Sequence, residues 1–312
     1  MRRTCAGLIA LALVAAAGCK KSGATEPPAE EPPEPEVVVV PRTMTLDTPV
    51  LGLSGLSRDE HGALWAPAER PSNSHPSAVL RIDPDTGGIT AYPVKGVPSG
   101  ADLESIAWID GTRFVLGTER GESGRARDVI LEARLDGETL VASPIGNLEY
   151  SLWGITATTN HGIEGLCSVG GTLVVATELH QRKVGRRWAP LAVYEPTTQT
   201  WTAHWVALVS ENGKGKLAGI DCRAKGDAIE VLAIERDIEV RKLLRFAVPR
   251  GPVTRNIDPD GVTTLDDSPV GPNFEGLVWM PDGSVVLVND NQLGRAQMGS
   301  TQLHFIAAND IR

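Results

Sequence analysis

Three glutamates head related stretches of this chain: Glu104 in "LESIAW", Glu164 in "IEGLCSV" and Glu275 in "FEGLVWM". Each is followed 14 or 15 residues later by a second acid, Glu119, Glu178 or Asp290. Carboxylates gathered around one opening repel unless something positive compensates them. One compensator is a hard cation such as Ca²⁺, which takes six to eight oxygen ligands. Its ligand set would be Glu104, Glu164, Glu275 and Asp290 with Asn289 or Asn291. The other compensator is internal. Arg70, Arg120 and Arg236 directly follow Glu69, Glu119 and Glu235, and can pair with the acid of the next repeat to make a purely structural ring. A metal at such an opening activates water or polarises an ester, and the same arginines could then grip an anion. His161, three residues before Glu164, is the histidine placed to move a proton there. There is no Gly-x-Ser-x-Gly elbow, His-Glu-x-x-His helix or phosphate-cradling glycine loop, so a serine esterase mechanism has no motif to stand on.

The elements that must position these residues are repeats. "LSGLSRDEHGALWAPAER" from Leu53 and "LAGIDCRAKGDAIEVLAIERD" from Leu217 complete a set of five copies, whose starts are 50, 60, 54 and 57 residues apart. Each copy reads as a β-hairpin with a glycine turn, and two further strand-like runs separate successive copies. That period suits four-stranded blades of a β-propeller. The fold class is therefore all-β, a single propeller of five blades, with six left open if the 120–162 interval hides a blade without its marker. After the fifth hairpin only "TQLHFIAA" remains, so the strand from Thr43 is expected to close the ring beside it, removing a free sheet edge. No long window has a helical period.

Aligned by this step, the channel-lining ring is Ser54, Glu104, Glu164, Ala218 and Glu275, with the second acidic set, Glu69, Glu119, Glu178, Glu235 and Asp290, on the same face. The glycines after ring positions, Gly55, Gly165, Gly219 and Gly276, point to crowding where inner strands converge. Trp108 and Trp279 read as blade packing. Cys167 and Cys222 lie on adjacent inner strands with opposite parity, which predicts a disulfide between the third and fourth blades in an oxidising compartment; the alternative is two buried thiols.

A basic start, a short apolar run and small residues ending at Cys19 make residues 1–18 an export signal. The run "AAGC" is similar to a bacterial lipobox, which implies lipid on Cys19 and attachment to a membrane. Lys20 and Lys21 point to the outer membrane, facing the periplasm. Residues 19–42, rich in proline and glutamate, read as an extended tether, leaving 43–312 as the propeller domain. The net charge of −9 argues against nucleic acid and for cations or neutral partners. A monomer is expected.

The series "SGLSRD", "DLESIAWIDGTRFVLGTER", "GIEGLCSVGGTLVVATE" and "NFEGLVWMPDGSVVLVNDNQ" resembles the phytase-like esterase propellers of bacteria over 50 to 292. The resemblance carries Glu104, Glu164, Glu275, Asn289, Asp290 and Asn291 as recurring positions, with Ser54 and Ala218 as departures. It implies a Ca²⁺-assisted hydrolase of phosphate or carboxylic esters, acting on a small anionic ester. The competing reading is a non-catalytic scaffold that holds a peptide, glycan or envelope protein.

Overall fold

The computed structural model describes residues 38–48, 52–68, 76–158, 161–183, 185–210, 213–237, 239–265, 271–293, 296–297 and 299–312. The export signal, Cys19, Glu69 and Arg70 lie outside them.

Alternating apolar residues bury inner strands such as Leu64–Ala68 and Val285–Asp290, while outer ones such as Ile89–Lys95 stay largely exposed. Among the described residues the strands run in sheets of eight, six, five, four and two strands, in which each repeated hairpin heads an antiparallel unit. The innermost strands of these units are Ser57–Arg58, Ala101–Asp110, Ile163–Val169, Lys216–Lys225 and Asn273–Trp279. The fold is a β-propeller, as the repeats predict. Among the described residues of the 120–162 interval, the strands Arg127–Asp136 and Thr139–Glu149 pair as the outer half of the second blade. Closure also follows the sequence reading, because Arg42–Thr45 pairs antiparallel with Gln302–Ile306 to finish the fifth blade. The tether ends earlier than composition suggests. Val38–Val39 already pairs in parallel with Gly261–Leu265 on the rim of the fourth blade, because a β-branched run covers an open sheet edge better than it sits in water.

The core is five layers, each between two neighbouring blades. Trp65 and Val79 meet Phe114 and Leu116 between the first and second. Ala107 and Val115 meet Leu166 and Val175 between the second and third, and Val174 meets Ile220 and Val231 between the third and fourth. Leu232 meets Leu277 between the fourth and fifth. Val278 and Val286 meet Leu53 and Leu64 across the closing interface. Adjacent residues such as Leu277 and Val278 thus serve different layers, as a period of two requires. Each fully buried Leu, Val or Phe contributes roughly 1.5–3 kcal/mol.

Near the axis there is no room for side chains. A Cβ on Gly276 would sit 2.3 Å from the Gly55 carbonyl carbon, and one on Gly219 would sit 2.5 Å from the Glu275 carbonyl oxygen. The crowding expected from the repeated glycine is therefore present. Just outside it, three of the five interfaces carry a stitch at equivalent positions. The Trp108 amide donates to Ser57 Oγ at 2.8 Å, the Trp279 amide donates to Asp221 Oδ2 at 2.7 Å, and Cys167 is disulfide-bonded to Cys222 with Cα atoms 5.8 Å apart. Trp108 packs against the layer between the first two blades, and Trp279 is buried under the Arg223 guanidinium.

Candidate active site at the channel mouth

The inner hairpins share a local irregularity that decides what faces the channel. In the second blade Leu103 pairs with Thr118 and Ser105 with Gly117, so the ladder steps over Glu104. It steps over Glu164 between Ile163 and Gly165, and over Glu275 between Phe274 and Gly276. In the fourth blade it steps from Leu217 to Ile220. Such bulges re-aim the extra residue. Here they turn the three glutamates into the mouth.

The mouth is a cavity of about 450 Å³ lined by Asp102, Glu104, Glu119, Gly121, His161, Glu164, Glu178, Lys216, Arg236, Asn273, Glu275 and Asp290. Four of these, Asp102, Gly121, Lys216 and Asn273, were not singled out from the sequence. Asp102, Lys216 and Asn273 each stand two residues before a ring position, and a period of two puts them on the same face. Opposite them on the second strands stand Glu119, Arg236 and Asp290, in register with Asp102, Lys216 and Asn273. Glu178 lies opposite Gly162, to whose carbonyl its amide donates.

This register corrects four expectations. Glu235 pairs with Leu217, not with a mouth residue. It is fully buried, and its carboxylate accepts the amides of Val209 and Ser210 at 2.8 and 3.0 Å. Asn289 pairs with Phe274 and is likewise turned inward: it accepts the Gln302 amide at 2.6 Å and donates to the Ser300 carbonyl. Asn291 accepts the Gly52 amide at 3.0 Å. Arg120 pairs with Ala101 and does not line the cavity. The repeated Glu-Arg dipeptides look equivalent in sequence, yet the second blade presents its Glu and the fourth its Arg. The fourth hairpin places its outward position 18 residues after Ala218 rather than 14 or 15.

The fourth blade therefore supplies the cations. Arg236 Nη2 reaches Glu275 Oε1 at 2.6 Å and Glu178 Oε1 at 3.2 Å, tying the third and fifth blades together. Lys216 Nζ lies 3.1 Å from Glu178 Oε1. Asn273 Nδ2 donates to Glu275 Oε1 at 2.7 Å and to Asp290 Oδ2 at 3.3 Å. His161 Nε2 is 3.9 Å from Glu178 Oε2. Its carbonyl accepts Arg125 Nη2, and Arg125 is fixed by Asp128, which also accepts the Tyr150 hydroxyl.

Seven carboxylates against Lys216 and Arg236 leave negative charge that the ion pairs do not cancel. Glu119 and Glu164 lie close enough to shift each other's proton affinity. Burial, and then the neighbouring Glu178 and Glu104 carboxylates, push Glu164 well above the usual range. Burial lifts Glu119 to about 7, against the pull of Glu164 and of Arg125. Of the ligand set expected for Ca²⁺, Glu104, Glu164, Glu275 and Asp290 line the mouth, and Asn289 and Asn291 do not. Among the described residues no group of three or more His, Cys, Asp or Glu side chains converges on a metal position, and both expected asparagine ligands are committed to backbone groups.

The phytase-like family, described by the esterase-like activity of phytase, matches residues 48–293. The chain belongs to the phytase-like family. Among curated proteins none matches the sequence. Among solved structures, a GH43_1 enzyme from Xanthomonas citri complexed with xylose is similar at a TM-score of 0.53 and 13% identity, covering 87% of this chain and 92% of that one. The GH43 β-xylosidase/α-arabinofuranosidase CoXyl43 from a compost metagenome, in complex with xylotriose in a calcium-free form, gives 0.53 and 11%, covering 87% and 98%. At such identity the likeness shows the fold alone, and this phytase-like chain shares the propeller architecture of these hydrolases.

Proposed function

We propose that this phytase-like propeller is a hydrolase of ester bonds whose active site is the channel mouth, with Glu119 and Glu164 as its acid–base pair. The observation that carries the reading is that these two carboxyls, both buried, stand together on the wall of a solvent-reached cavity. Two carboxyls whose environments push their proton affinities apart are the pattern of an acid and a base. Glu119 would take a proton from water attacking the ester carbonyl. Glu164 would donate to the oxygen that gains charge, and Lys216, the more exposed cation, would stabilise it further. A base near pH 7 is matched to neutral conditions.

The charge balance also narrows the substrate. A phosphate monoester would enter against seven carboxylates, whereas a neutral carboxylic ester carries no such penalty; this revises the anionic ester that the sequence suggested. His161, close to Glu178 and at the cavity wall, is placed to relay protons. Arg236 serves as a clamp between blades rather than as an anion grip, and Arg120 lies outside the lining. The clamp is also what a non-catalytic scaffold would need, so turnover decides between the two. Export and lipid attachment through Cys19 complete the proposal and are supported by the sequence alone.

The test is a panel of neutral carboxylic esters and phosphate monoesters, with and without EDTA and Ca²⁺. Turnover confined to neutral esters and indifferent to EDTA is expected. Turnover of phosphate esters that EDTA abolishes would replace the proton pair by a metal, and no turnover of any ester would leave the scaffold.

A further inference from the structure

We propose that the third blade carries a separate binding pocket for a phosphate-sized oxyanion, built on Arg187. Arg187 is 6% exposed, and none of Nε, Nη1 and Nη2 has a hydrogen-bond partner. A buried guanidinium offers five donors in a planar fork, and leaving such a charge without partners is strongly unfavourable. Its surroundings add to the cost. Gln181–Lys183 pairs antiparallel with Arg186–Glu195, setting Arg182 directly opposite Arg187, and like charges so placed repel.

These side chains line a cavity of about 320 Å³ with Arg186, Gly185, Leu208, Val209, Ser210 and Gly213. Arg186 is already engaged by Asp258 and lies over the Trp188 ring. Arg182 and Arg187 both border Gly213, where a Cβ would lie 3.7 Å from Arg182 Nη2 and 3.9 Å from Arg187 Cδ. Glu235 and Asp237 act on Arg187 only through their charge; Glu235 spends its carboxylate on the Val209 and Ser210 amides, and neither acid hydrogen-bonds the guanidinium. An oxyanion between the two guanidiniums would satisfy the orphaned fork bidentately and relieve the repulsion. The hairpin starts three residues after Glu178, so the pocket opens on the face of the propeller that carries the mouth. The inference stands on Arg187 and does not depend on the hydrolase reading.

The oxyanion could be free or the head of an anionic lipid, and two arms separate these sources. In the first, the melting temperature is followed against inorganic phosphate and against sodium chloride at equal ionic strength, with calorimetry for affinity. Phosphate should raise the melting temperature where chloride does not. Arg187→Lys, which keeps charge but loses the fork, should weaken binding at least tenfold, and Arg182→Gln should weaken it as well. Arg187→Met should abolish the response and raise the melting temperature without phosphate; if that variant does not fold, the other two decide. In the second arm, phosphate-sensitive capture by phosphatidylglycerol vesicles would assign a lipid head group. No response to phosphate beyond that of chloride, or a response unchanged in both Arg187→Lys and Arg182→Gln, would overturn the proposal, as would vesicle capture that phosphate does not compete.

Discussion

Arg236→Met removes the cation that holds Glu275 Oε1 at 2.6 Å and Glu178 Oε1 at 3.2 Å. The guanidinium is 16% exposed and both carboxylates are 6% exposed, so water replaces it poorly. Breaking a buried pair by deleting one partner costs about 3–5 kcal/mol, equivalent to a fall in melting temperature of roughly 5–9 °C for a domain of this size. Urea unfolding at neutral pH, followed by tryptophan fluorescence, reads this loss. The variant should unfold at a lower urea concentration than wild type by that margin. A loss under about 1 kcal/mol, typical of a surface pair, would refute the clamp.

Other perturbations reach other parts of the ring. Gly276→Ala places a Cβ 2.3 Å from the Gly55 backbone and should cost more than about 3 kcal/mol. Gly146→Ala, with open space around it, should change stability by less than about 0.5 kcal/mol; chemical denaturation of both checks the contrast. Reducing the Cys167–Cys222 bond frees a loop of 55 residues, and loop-closure entropy puts the loss at about 4 kcal/mol, read by melting with and without reductant. Glu119 has its folded pKa raised from 4.5 to about 7, so its contribution is full below pH 4.5 and disappears as pH rises through about 7. Glu119→Gln should flatten the decline of stability between pH 5 and pH 8, measured by melting across that range.

The repeat period, the ring closure by the Arg42 strand and the packed glycines were legible because they follow from chain geometry and from the size of a side chain. The two sides of the mouth were legible only in part. Glu104, Glu164, Glu275, Glu119, Glu178 and Asp290 all line the cavity, but motif identity misled where register mattered. Glu235 and Asn289 share a dipeptide pattern with mouth residues, yet stand opposite Leu217 and Phe274 and so point into the blade. The bulge at each ring glutamate shifts pairing by one residue, which composition does not reveal. Asp102, Lys216 and Asn273 could have been found from the sequence by extending the ring two residues upstream. Arg187 could not, because its isolation depends on which neighbouring acids are already spent.

The pH dependence of kcat/KM on a neutral p-nitrophenyl ester, for wild type and for Glu119→Gln and Glu164→Gln, tests the acid–base pair most directly. Wild type should gain activity through a limb near pH 7 as Glu119 loses its proton, and each variant should fold but lose about 10²–10⁴ in rate. Equal activity in all three proteins, or a wild-type profile flat from pH 5 to pH 9, would contradict it.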